Sequence, residues 1–560
     1  MTAKKPLAAS VLAPGFTPSV RDAAGVVALL ASEEEDVARG AGHSLERLGP
    51  QLLPLASDLA ASAPLAARPL LCRVVGVVGA SLEDAPRAEA VTFVIAQLTN
   101  DDARTRRAAA TALGKLGGPE AEAALLDAAK KEEAPPERRA ILAALGKIGT
   151  AAALELLAAI DVGTVHDAEL KKIVSRAKLM IGRTSMRANP SSIDLSRSSN
   201  ADVPLVFFCR SGLAPVLSDE LDALALPGGG TWMARPDTDD PTVVRAALRA
   251  GWPLARAFGA RTALEIGFPL PEQKIGAGED VVDAVVRALG SPAARAIFST
   301  WTRGPVRYRV AWSQGGHRRA AVWSIAQRVQ EIDPALVNDP TDTTWEARVV
   351  EMPEDAPVAV EVILVPRAIT DPRFLYRERD VPAASHPTIA AALARIAGVR
   401  ADDVVWDPFV GSGTELVERA RLGPYAELHG SDRDPNALEA ARTNLRAARV
   451  EASLVHADAL KHAPEGVTLI LTNPPMGRRV LKRSEAGDLA EQMVSRASEV
   501  LAPGGRLVWI SPAVGRTERR AKNVGLVVEM NHDVDMGGFT AAIQVLRRPA
   551  HTGTKPKGMR

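Results

Sequence analysis

The stretch Asp407-Pro-Phe-Val-Gly-Ser-Gly-Thr414 decides the fold of the C-terminal part of the chain, because it joins an apolar strand pattern to a helical pattern. Gly411 and Gly413 allow the backbone to approach a ligand where a side chain would collide. The N-terminus of the following helix presents free N–H groups to a carboxylate or phosphate. The string is not a G-x-G-x-x-G fingerprint and has no P-loop lysine, which disfavours NAD and ATP. We expect Asp407, Gly411, Gly413 and Thr414 to contact a bound ligand.

Strand and helix patterns alternate around this string, over residues 376–548. Strand patterns cover 404–406, 427–430, 452–456, 469–472, 506–510 and 527–528, and helical patterns cover 415–421, 435–448, 489–501 and 516–522. The alternation predicts a doubly wound α/β sheet, mostly parallel, with its ligand at the carboxyl ends of the strands. The last segment, 538–546, follows no helix, and we expect an antiparallel edge strand there.

Acidic residues end two successive strand patterns. Asp432 closes the second strand, where a carboxylate can accept hydrogen bonds from both hydroxyls of a ribose. Asp434 is the competing candidate, although it also stands where the N-cap of the helix at 435–448 is expected. Asp458 closes the third strand and can meet an adenine amine, or it can be an ordinary turn aspartate. We predict Asp432 and Asp458 as ligand contacts.

The fourth strand pattern ends in Thr472-Asn-Pro-Pro-Met-Gly477. Two prolines after an asparagine lock a rigid, extended loop at the ligand-binding edge. The carboxamide of Asn473 can accept a hydrogen bond from an –NH2 group and so orient the nitrogen lone pair toward an electrophilic carbon. We therefore predict Asn473, Pro474, Pro475 and Met476 as catalytic residues that act without a metal.

An internal repeat marks residues 20–183. Residues 112–117 read ALGKLG and residues 144–149 read ALGKIG, and the same offset of 32 relates Arg106-Arg107 to Arg138-Arg139. Helical patterns lie between these marks, so each unit is predicted to be a helical hairpin that buries its apolar face against its neighbours. We predict a HEAT-like α-solenoid over 20–183, after a disordered N-terminus over 1–19. We expect this solenoid to be a separable module that binds a protein partner.

The middle of the chain differs in composition from the repeats. Residues 184–202 are rich in serine, asparagine and proline and are predicted to be a linker. Residues 203–375 mix strand and helix patterns, which indicates an α+β fold. Within them, residues 291–320 contain six arginines and no acidic residue. Because such a tract can hold a polyanion, we expect nucleic-acid phosphates to contact four of these arginines: Arg307, Arg309, Arg318 and Arg319.

Overall composition limits the class of protein. The 560 residues carry a net charge of +1, with 46% hydrophobic and 24% charged residues, which is ordinary for a globular protein of several domains. Cys72 and Cys209 are too few for a disulfide framework, so we expect a reducing, cytoplasmic location. No apolar run is long enough to cross a bilayer. We expect no membrane partner and no metal, and residues 549–560 form a basic tail.

Together, the strings 407–414 and 473–477 resemble the amino-methyltransferase family that carries an Asn-Pro-Pro-aromatic motif. Within that family, the chain resembles the RNA guanine-N2 methyltransferases that are joined to a THUMP domain. The catalytic resemblance covers about 376–548 and the THUMP resemblance about 203–375, whereas the solenoid is not a usual part of the family. The THUMP resemblance rests on these residues: Phe208, Gly212-Leu213, Glu220-Leu221, Tyr308-Arg309-Val310, Gly316 to Arg319, and Ser385 to Ala390 before the catalytic domain.

The resemblance implies S-adenosylmethionine as cofactor, and it implies methyl transfer to the exocyclic N2 of a guanine in rRNA or tRNA. Where the family has an aromatic residue, this chain has Met476, whose polarizable but more flexible side chain replaces the flat face that supports an extruded base. Three alternatives stay open: amino methylation of DNA, methylation of a glutamine amide in a protein, and a non-catalytic RNA-binding scaffold.

Overall fold

The computed structural model describes residues 6–13, 15–160, 167–224, 235–236, 242–314, 316, 318–351, 359–382, 384–476 and 483–550. Gly477 and residues 551–560 of the predicted basic tail lie outside this set. The chain divides into two compact units. The first comprises Met1–Ser191, Gly304–Val310 and Gly316–Thr343, and the second comprises Ser192–Arg303, Ala311–Gly315 and Thr344–Arg560. The packed units therefore do not begin and end at the predicted boundaries, because part of the region at 203–375 belongs to the unit that holds the repeats.

Helices fill the first unit from its N-terminal end. They are α1 (Leu7–Val11), α2 (Ala23–Leu29), α3 (Glu35–Leu48), α4 (Ala56–Ser62), α5 (Arg68–Ala80), α6 (Asp84–Ala96), α7 (Ala103–Leu116), α8 (Pro119–Lys131), α9 (Pro135–Ile148), α10 (Ala151–Ala158) and α11 (Ala168–Arg187). One apolar core runs through them, and the leucines of the repeated strings, Leu113 and Leu145, are fully buried in it. The predicted α-solenoid is confirmed.

The glycines of the repeated strings let neighbouring helices touch. A Cβ atom on Gly114 of α7 would lie 3.0 Å from the Cα atom of Ala144 in α9. One on Gly146 of α9 would lie 2.7 Å from the Cα atom of Ala177 in α11. Since a larger side chain at either glycine would push the helices apart, this close approach fixes their register and explains why the string recurs.

Described parts of two segments that the sequence predicted to lack structure are ordered. The predicted disordered N-terminus contains α1, whose Val11 is buried in the helical core. The predicted linker begins with the last turn of α11, and distant polar partners hold that turn. Arg183 donates to Oδ1 of Asn338 at 2.7 Å, and Arg187 forms a two-pronged ion pair with Asp339 at 2.6 Å. Those partners lie about 150 residues away, so no local pattern indicates them.

The middle of the chain mixes helices and strands. Its helices are α12 (Ala214–Ala223), α13 (Val281–Leu289), α14 (Pro292–Trp301) and α15 (Arg319–Ile332). Its strands are β1 (Ser192–Ile193), β2 (Val203–Phe208), β3 (Arg235–Pro236), β4 (Val243–Leu248), β5 (Glu265–Pro269), β6 (Gln273–Lys274), β7 (Thr302–Arg303), β8 (Val306–Trp312), β9 (Leu336–Asn338), β10 (Trp345–Glu351) and β11 (Ala359–Pro366). In the first unit, the start of β8 pairs in parallel with β9. In the second unit, a sheet runs in the order β3-β4-β2-β5-β11-β10.

A parallel sheet with helices between its strands forms the C-terminal region. Its helices are α16 (Pro387–Ala397), α17 (Thr414–Leu422), α18 (Pro435–Ala448), α19 (Arg483–Val500) and α20 (Val514–Asn523). Its strands are β12 (Val404–Asp407), β13 (Glu427–Asp432), β14 (Ser453–His456), β15 (Leu469–Thr472), β16 (Arg506–Ser511), β17 (Val527–Asp535) and β18 (Thr540–Arg547). They lie in the order β14-β13-β12-β15-β16-β18-β17, and the first five are parallel. The predicted doubly wound sheet is confirmed.

The predicted position of the last strand is wrong in one respect. β18 is antiparallel to β16, as expected, but it lies between β16 and β17 rather than at the edge. The edge strand is β17, which continues from Val527 to Asp535 through a run of mostly exposed, polar side chains. Because this run shows no apolar alternation, the sequence pattern revealed only its first two residues.

Buried ion pairs join the α+β part of the second unit to the C-terminal sheet. Arg261 forms a two-pronged pair with Glu418 of α17, at 2.6 and 2.7 Å, and Glu418 also accepts a hydrogen bond from Tyr376 at 2.7 Å. Glu220 of α12 similarly pairs with Arg395 of α16 at 3.0 Å. Since Glu418 and Glu220 are each only 1% exposed, these contacts hold the two parts as one packed body.

Candidate active site

The glycine string forms the turn between β12 and α17. Asp407, the last residue of β12, is fully buried, and its Oδ1 accepts a hydrogen bond from Oγ1 of Thr472 at 2.6 Å. Gly411 and Gly413 have φ angles of +50° and +79°, in the left-handed region that favours glycine. A Cβ atom on Gly413 would lie 3.4 Å from Ala441 of α18. The turn therefore lies against α18 and presents its backbone at the carboxyl end of β12.

Asn444 of α18 stabilises this turn through hydrogen bonds to backbone groups. Its Nδ2 donates to the carbonyl of Ser412 at 2.9 Å and to that of Arg379 at 2.8 Å, and its Oδ1 accepts from the Arg379 amide at 3.0 Å. Thr414 begins α17 with its buried hydroxyl 3.0 Å from that of Ser412. Sequence reasoning missed Asn444, since a polar residue inside a helical pattern gives no local signal of its partners.

The two candidate acids after β13 have different surroundings. Asp432 is half-buried at the strand end, where its Oδ2 accepts a hydrogen bond from the Gly411 amide at 3.0 Å. Asp434 is exposed and accepts from the Asn436 amide at 2.9 Å, as the N-cap of α18. The structure thus brings Asp432 to the glycine turn and gives Asp434 a capping role. The ribose contact of Asp432 stays a prediction.

Asp458 lies just after β14, half-buried, and its Oδ1 accepts a hydrogen bond from the Leu460 amide at 3.0 Å. This bond is typical of a turn aspartate. Because β14 is the parallel neighbour of β13, Asp458 still lies at the same edge of the sheet as Asp432. Its contact to an adenine amine stays a prediction.

A chain of hydrogen bonds fixes the orientation of Asn473 after β15. Nδ2 of Asn473 donates to Oγ of Ser385 at 2.8 Å, and Oγ of Ser385 donates to Oε1 of Glu415 in α17. Oδ1 of Asn473 is buried and has no hydrogen-bond partner among the described residues. Because the –NH2 end is engaged, the acceptor end of the carboxamide is left for a ligand, which is the arrangement that binding an amine requires.

Two carboxyl groups, those of Asp407 and Glu415, are buried near these hydrogen bonds. Burial, together with the charge of Glu415, raises the pKa of Asp407 well above its ordinary value, and burial raises the pKa of Glu415. Oδ2 of Asp407 is also buried and has no partner among the described residues. Sequence reasoning found Asp407 but missed Ser385 and Glu415 as parts of the site, although Ser385 opened a motif that it singled out.

The four predicted phosphate-binding arginines do not share one environment. Arg307 is 2% exposed; its guanidinium donates to the carbonyls of Met186 and Asn189 at 2.9 and 3.0 Å and pairs with Asp342. The prediction that Arg307 binds phosphate is therefore wrong, because its charge and hydrogen bonds are used inside the first unit. Arg309 is half-buried, whereas Arg318 and Arg319 are exposed at the start of α15.

Two parts of the chain match the models of known protein families. The model of an RMKL-like methyltransferase domain matches residues 375–539, and HEAT repeats match residues 59–146 and 91–165. Residues 375–539 therefore form a methyltransferase domain that is similar to the RMKL-like family. The glycine turn, the acids at the strand ends and Asn473 all lie within this methyltransferase domain, and the HEAT repeats coincide with α5–α10.

Several known methyltransferases are similar to this chain. The tRNA (guanine(6)-N2)-methyltransferase of Thermus thermophilus is 28% identical over 349 residues, which is 60% of this chain and 97% of that protein. The U6 snRNA (guanine-N(2))-methyltransferase THUMPD2 of Bos taurus is 34% identical over 127 residues, which is 22% of this chain and 25% of that protein. The crystal structure of TrmN from Thermus thermophilus matches with a TM-score of 0.50 and 25% identity, over 62% of this chain and 99% of that chain.

Across the described ranges, no cluster of three or more His, Cys, Asp or Glu side chains is placed to hold a metal ion. No helix in the same ranges has the length and apolarity to cross a membrane. Cys72 and Cys209 are both buried.

Proposed function

We propose that the protein transfers a methyl group from S-adenosylmethionine to the exocyclic N2 of a guanine in RNA. The observation that carries this proposal is the buried Oδ1 of Asn473, which has no hydrogen-bond partner in the described part of the chain and whose orientation Ser385 and Glu415 fix. The similarity to a tRNA guanine-N2 methyltransferase along nearly its whole length supports RNA, and tRNA before rRNA, as the substrate.

The residues at the strand ends fit the cofactor. Gly411 and Gly413, with positive φ angles, allow its methionine part to approach the backbone, and Asp407 and Thr414 frame that turn. Asp432 accepts hydrogen bonds from the ribose hydroxyls, and Asp458 from the adenine amine. When bound, S-adenosylmethionine supplies an electrophilic methyl group on a positively charged sulfur.

Asn473 positions the amine for an in-line displacement. Its Oδ1 accepts one N–H of the guanine –NH2, which turns the nitrogen lone pair toward the methyl carbon. The N–C bond forms as the S–C bond breaks, and the nitrogen then releases a proton to water. Pro474 and Pro475 keep the loop rigid, and the half-buried side chain of Met476 lies beside it, where an extruded base can rest.

Other parts of the proposal come from the sequence. Arg309, Arg318 and Arg319 are proposed to contact RNA phosphates, and residues 203–375 to act as a THUMP-like RNA-binding region. A protein partner for the HEAT repeats and a cytoplasmic location also stay predictions.

The test is incubation of the protein with labelled S-adenosylmethionine and total RNA, followed by nucleoside mass spectrometry. We expect N2-methylguanosine with the wild type and none with Asn473→Ala. Asn531→Ala, in the edge strand β17, serves as the matched control and should retain activity. A methylated glutamine in a protein extract, or methylated DNA, would contradict the RNA proposal. Equal inactivity of wild type and Asn473→Ala on all three substrates would favour a non-catalytic scaffold.

A further inference from the structure

The charges of the solenoid are unequally distributed between its two sets of helices. The stacked helices α5, α7, α9 and α11 carry fifteen Lys and Arg residues and two acidic residues. The alternate helices α6, α8 and α10 carry three basic and six acidic residues. The near-neutral charge of the whole chain therefore conceals a strongly basic set of stacked helices.

Part of this positive charge holds the repeats together. Arg107 of α7 pairs with Glu137 at the start of α9, and Arg139 of α9 pairs with Asp167 at the start of α11, at 2.6 Å. Those ion pairs explain why the Arg-Arg doublets recur with the repeat. Arg106 likewise pairs with Glu132, Arg139 also pairs with Glu169, and Arg183 and Arg187 are held by Asn338 and Asp339. These contacts leave other cations of the four helices, Lys115 and Lys147 among them, to be explained.

On α7, the exposed cations Arg104 and Lys115 lie along one side of the helix. On α7, Arg104, Ala108, Thr111 and Lys115 follow one another at spacings of four, three and four residues, which places them in one stripe, and all are exposed or half-exposed. No acidic residue lies in α7.

The close packing of the helices sets which positions of adjacent helices correspond. Lys115 follows Gly114, which touches α9, and Lys147 follows Gly146, which touches α11, so the two lysines occupy corresponding places on adjacent helices. Adjacent helix axes lie about 8–10 Å apart, a distance over which flexible lysine side chains can follow the phosphates of a nucleic-acid strand. Lys172 and Arg176 are also exposed on α11, where the Arg176 guanidinium lies 4.8 Å from the centre of the Trp323 ring.

We propose that the stacked helices α5, α7, α9 and α11 form a second RNA-binding surface, here named the basic face, which holds the phosphate backbone of the substrate. The proposal rests on the proposed function in that the substrate is RNA. Small side chains, such as Ala108, Ala140 and Ala143, separate the cations and let a backbone approach. The exposed large hydrophobic residues of the described ranges lie on none of these four helices, so the basic face lacks the apolar anchors of a protein interface.

The test compares two charge reversals of equal size in the full-length protein. Lys115→Glu with Lys147→Glu changes the basic face, whereas Lys130→Glu with Lys131→Glu changes the exposed end of α8 on the other set of helices. Binding of fluorescent total tRNA is measured without cofactor at several salt concentrations, and thermal melting confirms that each variant folds. Because each phosphate contact contributes about 0.7 to 0.9 to the slope of log affinity against log salt, the basic-face variant should lose about 1.5 from that slope. It should bind about tenfold more weakly, while the α8 variant should match the wild type.

The methylation assay separates this inference from the proposed function. The basic-face variant should raise KM for tRNA and leave kcat unchanged, since the chemistry occurs elsewhere in the chain. An unchanged affinity and salt slope would overturn the basic face even if methylation proceeds. If the basic-face variant loses binding to polyglutamate but binds tRNA as the wild type does, the RNA proposal is overturned in favour of an acidic protein partner. Absence of methylation with a salt-dependent, variant-sensitive tRNA affinity would overturn only the proposed function.

Discussion

Replacement of Ser385 by alanine tests whether the orientation of Asn473 matters for catalysis. The Ser385 hydroxyl makes two hydrogen bonds, accepting from Nδ2 of Asn473 at 2.8 Å and donating to Glu415. In Ser385→Ala, the carboxamide of Asn473 loses the bond that keeps its Oδ1 directed at the substrate. One such bond is worth about 1–1.5 kcal/mol, and 1.4 kcal/mol corresponds to about tenfold in rate. We expect kcat to fall about tenfold, with little change in the Kd for S-adenosylmethionine.

Thr468→Ala is the matched control for this experiment. Oγ1 of Thr468 also makes two hydrogen bonds in the methyltransferase domain, accepting from the Val404 amide at 2.9 Å and donating to Asp403 at 3.0 Å. Thr468 precedes β15 and so lies at the opposite edge of the sheet from Asn473. Both variants should lower the melting temperature by similar amounts, but only Ser385→Ala should lower kcat. Wild-type kcat in Ser385→Ala, or an equal loss in Thr468→Ala, would refute the reasoning.

Three further predictions concern charged groups. Asp432→Ala should weaken S-adenosylmethionine binding at least tenfold by calorimetry, whereas Asp434→Ala should leave the Kd unchanged and cost about 1 kcal/mol of stability as a lost N-cap. Arg187→Ala should lower the free energy of unfolding by about 2 kcal/mol in urea titrations. Burial alone would raise the pKa of Asp339, but Arg187 and two backbone amides hold this pKa below its ordinary value. The stability difference between wild type and Arg187→Ala should therefore vanish as the pH falls through the pKa of Asp339 in the folded protein. Burial raises the pKa of Glu415, so the folded state binds more protons above about pH 4.5 and loses stability as the pH rises; Glu415→Gln should therefore raise the melting temperature more at pH 8 than at pH 5.

The sequence predicted those parts of the fold that depend on neighbouring residues. The alternation of strand and helix patterns located β12 to β16 and α18 closely, because short apolar runs such as β15 and β16, which are buried throughout, are visible in the local sequence. The glycine turn was predictable for the same reason, since positive φ angles at Gly411 and Gly413 are a local requirement. Most of the edge strand β17 could not be predicted in this way, because its side chains are mostly exposed to solvent and need no apolar alternation.

Errors arose where a side chain finds its partner far along the chain. Arg307 stands in an acid-free stretch, which indicated a free cationic surface, but its partners Met186 and Asn189 lie more than 115 residues earlier. The role of Ser385 likewise depends on Asn473, 88 residues later, and on Glu415, 30 residues later. A serine before a helix pattern carries no sign of either bond.

Long-range ion pairs also decide where the chain can be divided. The sequence predicted the solenoid to be a separable module, but a cut at Asp202, the end of the predicted linker, removes Arg187 and leaves Asp339, whose side chain is fully buried, without its guanidinium partner. A cut at 376, before the methyltransferase domain, removes Arg261 and leaves the buried carboxylate of Glu418 without its guanidinium partner. Since removing one partner of a buried ion pair strands an uncompensated charge, both fragments should be less stable than the intact protein. The substrate and cofactor measurements therefore belong with the full chain, in which point variants change one interaction at a time.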